Sequence, residues 1–107
     1  MLRLYRYRTH VGKEPFGQWL DSIKDLRTRA RIQFALRRWA NEGNADTQWL
    51  GDGLLELRLH FGAGYRIYFT RTYPDAILLM GGGSKKTQLR DIHKAKGHLS
   101  EWKRKSK

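Results

Sequence analysis

Between Leu54 and Phe61 apolar and polar side chains alternate, with Leu55, Leu57, Leu59 and Phe61 on one side and Glu56, Arg58 and His60 on the other. A period of two marks a strand with one buried and one solvated face. Gly62, Ala63 and Gly64 then turn the chain into a second strand, Tyr65 to Thr72, and a Gly-x-Gly turn of this length predicts a hairpin. Tyr73, Pro74 and Asp75 form another turn before Ala76 to Met80, an apolar run suited to a strand buried on both faces, which Gly81 to Gly83 end. Near the N-terminus, Leu2 to Arg8 is short and aromatic-rich, with imperfect alternation, and reads as a strand at a sheet edge.

Elsewhere the period changes to that of a helix. Phe16, Trp19, Leu20 and Ile23 follow Pro15 at i, i+3, i+4 and i+7, one apolar stripe behind a residue that a first helical turn accepts. Ile32, Ala35, Leu36 and Trp39 repeat the stripe in a second helix, Thr28 to Glu42, which Gly43 terminates. The short join around Lys24 to Arg27 predicts an antiparallel helical hairpin. Asn44 to Gly53 reads as a loop. Ser84 or Thr87 caps a last helix whose stripe is Ile92, Ala95, Leu99 and Trp102, with fraying over Lys103 to Lys107. The expectation is an α+β fold of order βααβββα: a small antiparallel-type sheet backed by an N-terminal helical hairpin, in one domain spanning residues 1–107.

Charge alters this picture more than length does. Twenty-two Lys and Arg against ten Asp and Glu give a formal net charge of +12, which favours a polyanionic partner such as nucleic acid or an acidic protein. From Ser84 to Lys107 there are nine basic residues and two acidic ones, and Lys24 to Arg38 holds a second basic cluster. With 39% hydrophobic and 12% aromatic residues, the chain has the apolar content to build a core. The absence of cysteine excludes disulfides, thiolate nucleophiles and zinc–thiolate sites. No apolar run reaches the roughly 20 residues of a spanning helix, and the first residues do not read as a signal peptide, so a cytoplasmic protein without membrane contact is expected. The four histidines lack metal-site spacing, and Gly81 to Lys85 lacks the Gly-Lys-Ser/Thr ending of a phosphate-binding loop. Neither metal nor cofactor is expected.

ELRLHFGAGYRIYF, from Glu56 to Phe69, and LLMGGGSKKTQLRDI, from Leu78 to Ile92, resemble the RelE/ParE superfamily of type II toxin–antitoxin modules. The branch they are most similar to is the HigB-like addiction module killer proteins. The likeness extends in element order over nearly the whole chain and centres on Gly64-Tyr65-Arg66 and on the Gly-rich segment before Lys85. It implies a ribosome-dependent messenger-RNA endonuclease, inhibited by a co-expressed antitoxin that is often a helix-turn-helix protein. It also implies a site built on Arg66, on Arg58 and on Lys85. The tyrosine or histidine that often moves a proton in that family has no clear counterpart, although Asp91 and His93 fall near its place. The same resemblance admits a ParE-like inhibitor of DNA gyrase. A non-catalytic nucleic-acid or protein-binding module is a third alternative.

Metal-free RNA cleavage requires that the 2'-hydroxyl lose a proton, the leaving 5'-oxygen gain one, and the charge on phosphate be stabilised. Permanently charged, bidentate arginine suits the last role, first Arg66 and then Arg58. His60, two residues from Arg58, is a base or a solvated strand histidine. Glu56 is a competing base, a carboxylate orienting the arginines, or a cross-strand surface partner. Lys85 and Lys86 either approach phosphate or start a solvated helix. Lys86, Arg90, His93 and Lys94 are the expected nucleic-acid-binding residues of the basic C-terminal segment.

Overall fold

The computed structural model describes residues 1–105. Five strands, β1 (Arg3–Arg6), β2 (Asp46–Gly51), β3 (Leu54–Leu59), β4 (Tyr65–Tyr73) and β5 (Ala76–Gly83), form one sheet in the order β1-β5-β4-β3-β2. Helices α1 (Pro15–Ser22) and α2 (Leu26–Glu42) connect β1 to β2. A single 3-10 turn at Lys85–Thr87 leads into α3 (Gln88–Lys105). The fold is α+β. Its sheet is mixed: the four strands after α2 are antiparallel, whereas β1 runs parallel to β5 at one edge.

Two apolar layers lie on opposite faces of the sheet. Phe16 and Leu20 of α1 and Ile32, Leu36 and Trp39 of α2 pack on Leu57, Leu59, Ile67, Phe69, Ile77 and Leu79. Ala95 and Leu99 of α3 pack on Leu54, Tyr68, Leu78 and Met80 from the other side, with Ile92 and Trp102 at the margin. The expected stripes therefore reach the core, and the run after Ala76 is buried on both faces. The Asp25 side chain accepts the Arg27 amide at the start of α2, and Gly43 ends the helix at φ 77°.

Four expectations need correction. Asn44 to Gly53 is not all loop, because Asp46–Gly51 pairs with β3 as an edge strand, so the order is βααββββα. Asp52 and Gly53 make the tight turn, both with positive φ (58° and 90°), as two-residue hairpin loops require. Polar, mostly exposed Asp46, Thr47 and Gln48 gave that strand no apolar alternation. Second, the sheet is not wholly antiparallel, since β1 is parallel to its neighbour. Third, Gly81 to Gly83 do not break β5; they continue it opposite Tyr68, Ile67 and Arg66. A Cβ on Gly82 would collide with the Trp19 ring and one on Gly83 with the Asp91 carboxylate, so helices on both faces press against bare backbone there. Fourth, α3 does not fray at Lys103 but stays helical through Lys105; Ser106 and Lys107 lie outside the described residues.

Candidate active site

Register across the sheet decides which polar residues meet. Asp46 stands opposite Arg58, Arg58 opposite Arg66, and Arg66 opposite Gly83, one row spanning four strands. The adjacent row is Gln48, Glu56, Tyr68 and Gly81. Tyr68 packs in the α3-side core and a Cβ on Gly83 would point at Asp91 of α3, so both rows lie on the face that α3 covers. Arg58 and Arg66 share that face as direct cross-strand neighbours.

The expected solvated face of β3 is in fact closed over Glu56, whose side chain is completely buried. Its Oε1 accepts from Arg58 Nε at 2.8 Å, and its Oε2 accepts from Gln88 Nε2 at 2.8 Å, with Arg66 Nε 3.7 Å away. Gln88 begins α3, so the start of that helix seals the carboxylate. A buried charge in this position is tolerable because cations and donors surround it. Glu56 holds the Arg58 guanidinium and faces that of Arg66, and its complete burial leaves no solvent path for a base role. Donating to the Glu56 carboxylate raises the Arg58 pKa above its ordinary value. Tyr68, opposite Glu56 and fully buried, has a hydroxyl with no hydrogen-bond partner among the described residues. Its pKa is pushed up by burial and by the Glu56 carboxylate.

The two arginines are held differently: Arg66 is nearly enclosed, and its buried Nε has no hydrogen-bond partner among the described residues. Arg66 donates from Nη1 to the Gly64 carbonyl at 2.8 Å, tying it to the β3–β4 turn, and its side chain is 11% exposed. Arg58 bonds only through Nε and remains one-third exposed, leaving its terminal nitrogens free of protein partners among the described residues. Lys85 is exposed at the same corner: its backbone N–H donates to the Ala63 carbonyl at 3.3 Å, and a Cβ on Gly64 would sit 3.3 Å from the Lys85 Cβ and 3.4 Å from Arg66 Nη1. Arg58, Arg66, Glu56 and Lys85 therefore come together around one turn and one helix start.

His60 does not belong to that group by strand pairing. β3 ends at Leu59, and the imidazole, 72% exposed, turns to Asp46, with Nε2 2.6 Å from Oδ2. Its charged partner is thus a carboxylate and not the neighbouring Arg58. Hydrogen bonds from Gln48 and then from His60 hold the Asp46 carboxyl below the usual range. Asp46, Gln88 and Tyr68 were not among the expected site residues; only register and the fold-back of α3 bring them in. Among the expected nucleic-acid-binding residues, Lys86 and Arg90 flank a shallow depression at the 3-10 turn, Arg90 and Lys94 line the adjoining cleft, and His93 is exposed on α3.

No family model matches the chain. A protein of Haemophilus influenzae described as uncharacterized is 37% identical to it over 81 residues, covering 76% of this chain and 82% of that one. The chain belongs to the same family as that protein. The relative's description states no activity, so the chemistry has to be argued from the side chains.

Two guanidinium groups around one sealed carboxylate, one bonded to it and the other tied to the Gly64 carbonyl, form a cationic corner with an exposed ammonium beside them. Such an arrangement suits a tetrahedral dianion: planar donors meet phosphate oxygens in pairs, and little reorganisation is required when negative charge grows. The His60–Asp46 pair lies at the outer end of the arginine row and offers a carboxylate-oriented imidazole to solvent.

Proposed function

We propose that the chain is the toxin of a type II toxin–antitoxin module, a RelE-like, metal-independent endoribonuclease that cuts messenger RNA on the ribosome and arrests translation. The observation that carries this reading is the pairing of Arg58 with Arg66 on one sheet face around buried Glu56, which bonds Arg58 and lies 3.7 Å from Arg66. Arg66 and Arg58 hold the non-bridging oxygens of the scissile phosphate. As the 2'-oxygen attacks phosphorus and the P–O5' bond breaks, the two guanidinium groups stabilise the added negative charge. Lys85 donates a proton from its ammonium group to the leaving 5'-oxygen. His60, oriented by Asp46, accepts the 2'-hydroxyl proton, and Glu56 positions the arginines without touching substrate. A cognate antitoxin, of helix-turn-helix type and acidic where it meets this corner, keeps the toxin silent in the cytoplasm.

Brief induction without antitoxin, followed by sequencing of RNA 5' ends, tests the proposal. New ends within translated messages are expected from the wild type, and none from a folded Arg66→Ala variant. Intact messages in growth-arrested cells would overturn it. If DNA-damage signalling accompanied those intact messages, a gyrase inhibitor on this scaffold would replace it.

A further inference from the structure

A second cationic recess lies beyond the far edge of β5. β1 pairs with β5 only from Ala76 to Leu79, and the Tyr7 amide donates to the Leu79 carbonyl at 2.9 Å before the chain leaves the sheet. Past that point Gly81 and Gly82 pair with β4 alone among the described residues, and a cleft of ≈ 370 Å³ opens beside them and Met80. That volume lies within the range of small-ligand sites, roughly 300–1,000 Å³. One wall is the Thr9–Lys13 turn with Gln18 and Trp19 of α1; the other is Arg90, Lys94 and His98 of α3.

Its charge is strongly one-sided. Lys13, Arg90 and Lys94 face a single carboxylate, Asp91, which is already engaged by the Thr87 hydroxyl and lies 3.8 Å from Arg90 Nε. Neither Lys13 nor Lys94 forms an ion pair among the described residues. The Lys13 backbone is fixed before any ligand arrives: its N–H donates to Thr9 Oγ1 at 3.1 Å and its carbonyl accepts from the Thr9 amide at 2.7 Å. A Cβ on Gly81 would meet nothing within 4 Å, so the floor is bare and the space above it empty. The indole of Trp19 adds an apolar wall, which gives the cleft both halves of a nucleotide's chemistry.

We propose that this cleft is a nucleotide subsite, with the phosphate held by Lys13, Arg90 and Lys94 and the base against Trp19. Asp91 and Gly83 join it to the arginine row, since Asp91 abuts Gly83 and Gly83 stands opposite Arg66. A strand bound at Arg66 thus continues into the cleft. That the occupant belongs to an RNA substrate rests on the endonuclease reading; the cleft's affinity for a nucleotide does not.

Titration with adenosine 5'-monophosphate, followed through the Gly81 and Gly82 amide resonances, tests it. Binding is expected to shift both amides, to weaken about tenfold in Lys13→Ala and in Lys94→Ala, and to vanish in Gly81→Val, which fills the floor. Lys13 and Lys94 are exposed and Gly81 has room, so these variants keep the fold. Inorganic phosphate binding as tightly as the nucleotide, a tri-glutamate peptide displacing it at equal concentration, or wild-type affinity in Lys13→Ala and Gly81→Val would each overturn the subsite. Arg66→Ala separates the two readings. Nucleotide binding in the cleft with messages still cleaved by Arg66→Ala would leave the subsite standing and remove the proposed catalytic corner.

Discussion

Glu56 accepts from Arg58 and Gln88 while facing Arg66, so three elements depend on one carboxylate. Removing one partner of a buried ionic cluster leaves the others uncompensated, a loss that is commonly about 3 kcal/mol. Glu56→Ala is therefore expected to lower unfolding free energy by about that amount in urea titrations, and Glu56→Gln by less, because an amide oxygen still accepts from Arg58. A loss below ~0.5 kcal/mol for Glu56→Ala would mean that the cluster does not hold the helix start to the sheet. At this scale the sequence is only half readable. Alternation across a tight hairpin puts Glu56, Arg58 and Arg66 on one face, because register follows from the turn. It cannot say that α3 folds back over that face, and so a carboxylate read as solvated is sealed. For His60 the same alternation runs one residue too far, past the end of β3.

Among elements, β5 makes the sharpest test, since its three glycines sit in different surroundings. Gly82 abuts Trp19 of α1 and Gly83 abuts Asp91 of α3, whereas a Cβ on Gly81 would enter open space. Alanine at 82 or 83 is expected to cost about 1–3 kcal/mol through overpacking, and alanine at 81 to stay within about 0.5 kcal/mol. Equal thermal shifts for all three would count against the two-sided packing. Helix α3 carries a pH dependence of its own. Burial, helped by Lys94 and opposed by Glu101, holds the His98 imidazole below its ordinary pKa. A group that resists protonation when folded loses stability as pH falls below its unfolded value of about 6.5, because the unfolded chain then binds the proton more readily. The melting temperature should drop between pH 7 and pH 5.5, and His98→Gln should reduce the drop; an unchanged drop in that variant would assign it elsewhere. The helical stripes were legible because they are local. β2 and the parallel docking of β1 were not, since an edge strand with polar side chains and a non-local partner leaves little pattern of its own.

For the whole molecule, the formal net charge of +12 has a consequence that no single residue carries. The exposed cations at the arginine corner, along the 3-10 turn and in the β5-edge cleft make a broken track from the α3 face of the sheet to its β5 edge. A single-stranded RNA following that track releases counterions from each phosphate it contacts, with a slope of about −0.7 per phosphate in log K against log salt. Four such contacts imply a loss of affinity of about fiftyfold between 50 and 200 mM salt. Fluorescence anisotropy with a 2'-O-methyl oligonucleotide, which lacks the attacking proton, would read this without cleavage. Lys13→Ala and Lys94→Ala are each expected to lower the slope by about 0.7, since each removes one contact, whereas Lys105→Ala at the far end of α3 is expected to leave it unchanged. A slope that fell equally for all three would mean that RNA senses only the overall field. The track would then not be a path, and neither the arginine corner nor the cleft would have a claim on a particular phosphate.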